Sequence, residues 1–190
     1  MSDAYTVFWR QDCWQRAVTV PRPLEVLFGG PHLSEPSFRR AAVQAGDLLY
    51  PIGVHRQVLF VFGRMRVREI RTVDDARLQE LFDRYPAWRF LASTCTDEVI
   101  LGNEGTHPHA RRAVPGEIVK TLTYLPRRGP RPVKHVTEDG LLTKVISVQG
   151  IFRIAPASAA DLDAVLEGPS PERRATAIVP PPSDGQQTLF

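Results

Sequence analysis

Cysteine is scarce. Cys13 and Cys95 are the only two in 190 residues, too few for a disulfide framework and without the paired spacing of a zinc site, so both read as reduced structural thiols. No apolar run approaches the roughly 18 residues needed to span a bilayer, and the opening MSDAYTVFWR lacks the basic-then-apolar layout of a signal peptide. The expected compartment is the cytoplasm, with no membrane partner. A Gly-rich phosphate loop, a serine elbow and a nuclease-like carboxylate set are also missing. Cys95 lies in STCTDE beside Asp97 and Glu98, and a catalytic thiol needs a positioned base that this stretch does not supply. His107 and His109 in THPHARR, even joined to Cys95 or Glu104, match no metal-ligand pattern. The expectation is no metal and no cofactor, and the balance leans against an enzyme.

What is present suffices for a core, since 43% of the residues are hydrophobic. The formal net charge is +3, which permits a polyanionic partner without demanding one. From Pro169 onward Glu172, Arg173, Arg174 and Asp184 cancel, so the excess positive charge belongs to residues 1–167, the expected domain. Residues 168–190, rich in proline and small polar side chains, read as a disordered tail.

YTVFWR predicts an opening strand, and PRPLEVLFGGP a Pro-bounded segment after it. SFRRAAV predicts a short helix. A Gly-Asp turn then leads into LLYPIGV, a polar corner at HRQ and a long return, VLFVFGRMRV, together a β-hairpin with Pro51 marking an edge or a bulge. Thr72 with Asp75 suggests a capped helix that ends before Pro86, followed by strands at WRFLAST and EVILG. The stretch from Gly102 to Gly116 reads as a surface loop. EIVKTLTYL fits neither period, VISVQGIFRI reads as a late strand, and Ser158 with Asp161 repeats the capping signature before LDAVL. Many short strands with two or three short helices predict an α+β domain on a curled sheet or small barrel.

Period-two alternation along the return strand places Leu59, Val61, Met65 and Val67 on one face and Phe60, Phe62, Arg64, Arg66 and Arg68 on the other. Guanidiniums beside aromatic rings suit phosphate contact and base stacking. A second basic cluster, LPRRGPRPVKH, holds Arg127, Arg128, Arg131, Lys134 and His135 in a Gly/Pro-rich loop, and SFRR adds Arg39. The expected nucleic-acid contacts are Arg39, Arg64, Arg66, Arg127, Arg128 and Lys134. Trp9, Trp14 and Tyr50 are the expected lining of a pocket for a planar base, although large aromatics more often pack a core than line such a pocket.

AGDLLYPIGV returning as LFVFGRMRVREI resembles the core hairpin of PUA-like domains, including the branch that reads modified bases. The resemblance covers about a third of the domain and implies a small β-barrel with a pocket for a flipped or modified base. The last five residues, QQTLF, resemble the pentapeptide by which bacterial polymerases and repair proteins dock on the replicative sliding clamp. Gln stands first, Leu fourth and Phe fifth, while Gln187 and Thr188 fill positions where that family often has Leu and then Ser or Asp. The resemblance implies that Gln186 contacts the rim of a hydrophobic pocket and that Leu189 and Phe190 fill it. The leading expectation is therefore a DNA-associated nucleic-acid-binding module, a modified-base reader in its sharpest form, docked to the sliding clamp. A small hydrolytic or nucleolytic enzyme delivered by the same tail, or a protein-interaction adaptor, remain the alternatives.

Overall fold

A computed structural model of the chain describes residues 2–31, 36–108 and 112–168. The elements run β1 (Ala4–Phe8), α1 (Gln11–Ala17), β2 (Val26–Gly29), β3 (Leu48–His55), β4 (Val58–Val61), β5 (Met65–Thr72), α2 (Asp75–Arg84) and a 3-10 helix (Pro86–Leu91). They continue through β6 (Glu98–Asn103), β7 (Arg112–Ala113), α3 (Gly116–Thr121), β8 (Thr123–Tyr124), β9 (Arg131–Pro132), a 3-10 helix (Val145–Ser147), β10 (Ile151–Ile154) and α4 (Pro156–Glu167). One curled sheet carries them in the order β2-β6-β5-β3-β1-β10-β8-β9, with β4 branching from β3 to reach β7. The α+β class with a curled sheet is as expected.

The parallel pair β1–β3 is the axis of this sheet. Its residues alternate between two separate cores: Tyr5, Val7 and Leu49 enter one, with Trp14, Met65, Trp88 and Leu101, while Ala4, Tyr50 and Ile52 enter the other, with Leu59, Tyr124, Ile154 and Leu162. A strand buried on both faces has no polar side to show, which is why AYTVF reads as nearly unbroken apolar sequence.

The return strand of the hairpin departs from its expected form. It breaks after Val61, so that β4 pairs with the end of β3 and β5 with its start. At the break the Arg64 amide donates to Thr106 Oγ1 (2.8 Å) and the Arg64 carbonyl accepts from the Thr106 amide (2.9 Å). The expected common face is thereby divided: Leu59 and Val61 enter the second core, Met65 and Val67 the first, and Phe62 joins them in the first. Pro51 is not on an edge strand. Its ring nitrogen falls where the partner changes from β5 to β4, so the missing N–H interrupts no ladder.

Other boundaries shift for local reasons. SFRRAAV forms turns, held by a buried carboxylate considered below. Asp74, not Thr72, caps α2, accepting from the Arg77 amide at 2.9 Å. WRFLAST lies largely in the 3-10 helix Pro86–Leu91, which buries Trp88. EIVKTLTYL is ambiguous because it is both, α3 followed at once by β8. VISVQGIFRI becomes a strand only past Gly150. Pro156 opens α4 with Ala155 as its cap, and Ser158 instead accepts the Thr123 amide at 3.0 Å, tying the helix to β8.

Gly53 on β3 shows how closely the first core is packed. A Cβ there would lie 2.8 Å from Trp14 Cδ1 and 2.9 Å from Phe62 Cε2, inside a ring pair stacked at 5.3 Å. Both obstacles are ring atoms fixed in a core, so Gly53→Ala is expected to destabilise the domain by about 1–3 kcal/mol, the usual cost of overpacking. A thermal melt checks this, and an unchanged midpoint would mean that the stack yields easily.

Candidate nucleic-acid interface

The short strands β8 and β9 pair Tyr124 with Arg131, and Tyr124 also lies opposite Ile154 of β10. This brings Tyr124 against Phe152, their rings stacked at 4.6 Å with an interplanar angle of 28°. Tyr124 is buried, whereas Phe152 keeps part of its ring accessible. Beyond β9 the chain turns through His135 in the left-handed region (φ 57°), and the Thr143 amide and hydroxyl both donate to its carbonyl, at 2.9 and 3.1 Å. That clasp carries the chain toward the 3-10 helix Val145–Ser147, which faces the ring pair.

A cavity of about 130 Å³ results, lined by Tyr124, Arg131, Lys134, His135, Ser147 and Phe152, with Pro132 and Ile146 completing the wall. Three of the lining residues each carry a buried polar atom, Tyr124 Oη, Arg131 Nε and Ser147 Oγ, that is itself out of reach of solvent. Thr6 lies beside the Tyr124 hydroxyl and favours its ionised form. Burial dominates and raises the Tyr124 pKa well above the usual phenol value, with Arg131 opposing, so Tyr124 offers a neutral O–H. Ile146 on the rim is 69% exposed, the most exposed large apolar residue among those described.

A larger cleft of about 460 Å³ shares Tyr124 and Phe152 as its wall and is lined further by Arg40, Arg127, Arg153, Asp3, Asp47 and Gln44. Its carboxylates are already engaged. Asp47 accepts the Asp3 and Gln44 amides, both at 2.8 Å, and Asp3 pairs with Arg153 at 3.1 Å. Arg127 enters no ion pair or hydrogen bond among the described residues, and neither do Arg128 and Lys134. Cleft and cavity together therefore present uncommitted positive charge beside an accessible aromatic ring.

The other expected basic contacts lie elsewhere and are committed. Arg64 bridges Asp163 at 2.6 Å and Glu167 at 4.0 Å, Arg66 pairs with Glu104 at 3.0 Å, and Arg39 spans Asp97 and Glu98, both at 3.1 Å. The Asp163 hydrogen bond, the leading cause, raises the Arg64 pKa further. Of the residues expected to line a base pocket, Trp9 and Trp14 are 5% and 2% exposed and stack on Phe62, and Tyr50 is fully buried with its hydroxyl donating to Asp163 at 2.9 Å. No ring face is left on them for a base. Burial, with Asp163 second, pushes the Tyr50 phenol well above its ordinary range.

Sequence reasoning missed Tyr124, Phe152 and Ser147. Only Tyr124 carried a usable signal, as the aromatic residue just ahead of the basic loop. Cys95 is exposed, and among the described residues no three His, Cys, Asp or Glu side chains gather as a metal site. No helix of the described residues is long and apolar enough to cross a membrane. His109, Gln186, Leu189 and Phe190 lie outside the described residues.

No family model and no curated protein matches the chain. Among solved structures it is similar to ASCH from Zymomonas mobilis, at 11% identity over 85% of this chain and 94% of that one, with a TM-score of 0.46. It is similar also to two mutants of that protein. The serine-to-alanine form has 11% identity over 86% and 96% of the two chains at 0.48, and the tyrosine-to-phenylalanine form 12% over 85% and 97% at 0.45.

Proposed function

We propose that this chain is a nucleic-acid-binding module of the PUA-like kind, which holds a strand along the Arg40–Arg127 cleft and one unstacked base, modified bases included, against Phe152. The observation that carries the reading is the shared wall: uncommitted Arg127 on one side of Tyr124 and Phe152, uncommitted Lys134 on the other. Cations that track a backbone beside a ring that stacks a base are how sequence-tolerant single-strand binders work. A labelled single-stranded oligonucleotide titrated at several salt concentrations tests it. Affinity falling with salt is expected because bound phosphates release counterions; an absence of binding at low salt overturns the reading.

The same proposal assigns QQTLF to docking on a sliding clamp. Two apolar side chains gain roughly 1.5–3 kcal/mol each on full burial, and a micromolar affinity needs about 8 kcal/mol, so Leu189 and Phe190 supply much of it and Gln186 adds polar contacts. A peptide of residues 180–190 is expected to bind a bacterial clamp, and Leu189→Ala with Phe190→Ala to abolish binding while the domain's melting temperature stays unchanged. A peptide that ignores the clamp removes this part of the proposal and leaves the cleft untouched.

A further inference from the structure

The exposed large apolar residues among those described are two neighbours, Val145 at 38% and Ile146 at 69%. The segment that carries them is pinned on both sides. Leu142 and Val148 are buried in the second core, the Leu142 amide donates to the Gln57 carbonyl at 2.8 Å and the Thr143 amide to that of His135 at 2.9 Å. Between these anchors the 3-10 turn closes as the Val148 amide donates to the Val145 carbonyl at 3.0 Å. Packing on either side therefore holds the pair outside the core.

The surroundings say what covers it. Ile146 lines the same cavity as Phe152 and Lys134, and no Asp or Glu is part of that wall. Lys144 directly precedes the pair and is exposed. Its ammonium, like the side chains of Arg127, Arg128 and Lys134, enters no ion pair or hydrogen bond among the described residues. A nucleic acid meets both needs at once, with phosphates for the cations and, wherever its stack is interrupted, a bare base face for the apolar pair.

Resting on the nucleic-acid reading above, we infer that Ile146 is a wedge that enters the base stack of a bound strand and covers the base face uncovered beside the base held at Phe152. Apolar side chains that part neighbouring bases act in this way in proteins that kink DNA.

The test uses the full chain and an oligodeoxyadenosine carrying 2-aminopurine at alternate positions, a base that is dark while stacked and bright when its neighbours are parted. Binding is expected to raise the emission. Ile146→Ala is expected to weaken binding by about fivefold or more, since buried apolar area is lost, to reduce the rise, and to leave the salt dependence unchanged, since no charge is lost. Ile146→Phe is expected to keep the affinity and cancel the rise, because a ring in the gap stacks on the base and quenches it. Ile146 is exposed, so both variants are expected to melt with the parent; the emission of the unaltered chain is a test that needs no variant. No rise on binding, affinity within about twofold in Ile146→Ala, or a salt dependence that falls with the affinity each overturns the inference while the general reading stands. No binding at low salt overturns both. Vesicles of phosphatidylserine and phosphatidylcholine form the last arm: vesicle binding lost in Ile146→Ala while oligonucleotide binding persists gives the pair to a lipid surface and also sinks the wedge.

Discussion

Arg127→Ala combined with Lys134→Ala is expected to cut single-strand affinity at low salt by tenfold or more and to flatten its salt dependence. Each phosphate contact on a single strand contributes about 0.7 to the slope of log affinity against log salt, so losing two lowers it by about 1.4. Phe152→Ala removes the stacking surface, worth roughly 1–3 kcal/mol per base, and is expected to weaken binding without changing that slope. The split separates charge from stacking in one set of titrations. Arg64→Ala with Arg66→Ala is the contrasting pair: their guanidiniums are engaged with Asp163, Glu167 and Glu104, and affinity is expected to change little. If that pair changes the slope and the loop pair does not, the interface lies on β5 and the cleft is an ordinary surface.

The second large effect is structural. Glu98 on β6 is 2% exposed, and one of its oxygens accepts the Phe38 and Arg39 amides at 2.7 and 3.2 Å while the other accepts Ser37 Oγ at 3.0 Å and Arg39 Nε at 3.1 Å. The carboxylate thus clamps the turn that carries Arg40, Ala41 and Ala42 into the cleft wall. Glu98→Ala strands two amides. Hydrogen bonds to charged groups contribute about 1.5–3 kcal/mol each, and the half-exposed Arg39, which keeps Asp97, adds little. A loss of about 3–6 kcal/mol is expected, read as a fall of roughly 6–24 °C in melting temperature for a domain of this size. A fall under about 2 °C would mean that solvent replaces the carboxylate without loss.

Local signals carried part of this far. EVILG became β6 because a short β-branched run between polar turns has few other uses, and the helix before Pro86 was plain from its apolar spacing. The capping signatures misled by their abundance: Thr72 and Ser158 both match the pattern, yet Asp74 takes the first cap and Ser158 satisfies an amide on another strand. Alternation along VLFVFGRMRV failed at Gly63, since no pattern in that stretch says that Thr106 will take up the backbone there. The basic loop was found because its charges are contiguous. Its aromatic half was not, because Tyr124 and Phe152 meet only through the pairing of β8 with β10, a long-range contact that composition does not announce.

The axial strand β1 has one neighbour in β3 and the other in β10, from Ala4 opposite Ile154 to Val7 opposite Ile151. On the ribosome, at roughly 5–20 residues per second, β10 emerges about seven to thirty seconds after β1. Throughout that interval a strand apolar on both faces has an open edge, the arrangement most inviting to pairing with a neighbouring nascent chain. The pairing at the centre of the sheet is therefore among the last that chain synthesis permits, and until β10 is made the β10-facing edge of β1 has no partner of its own.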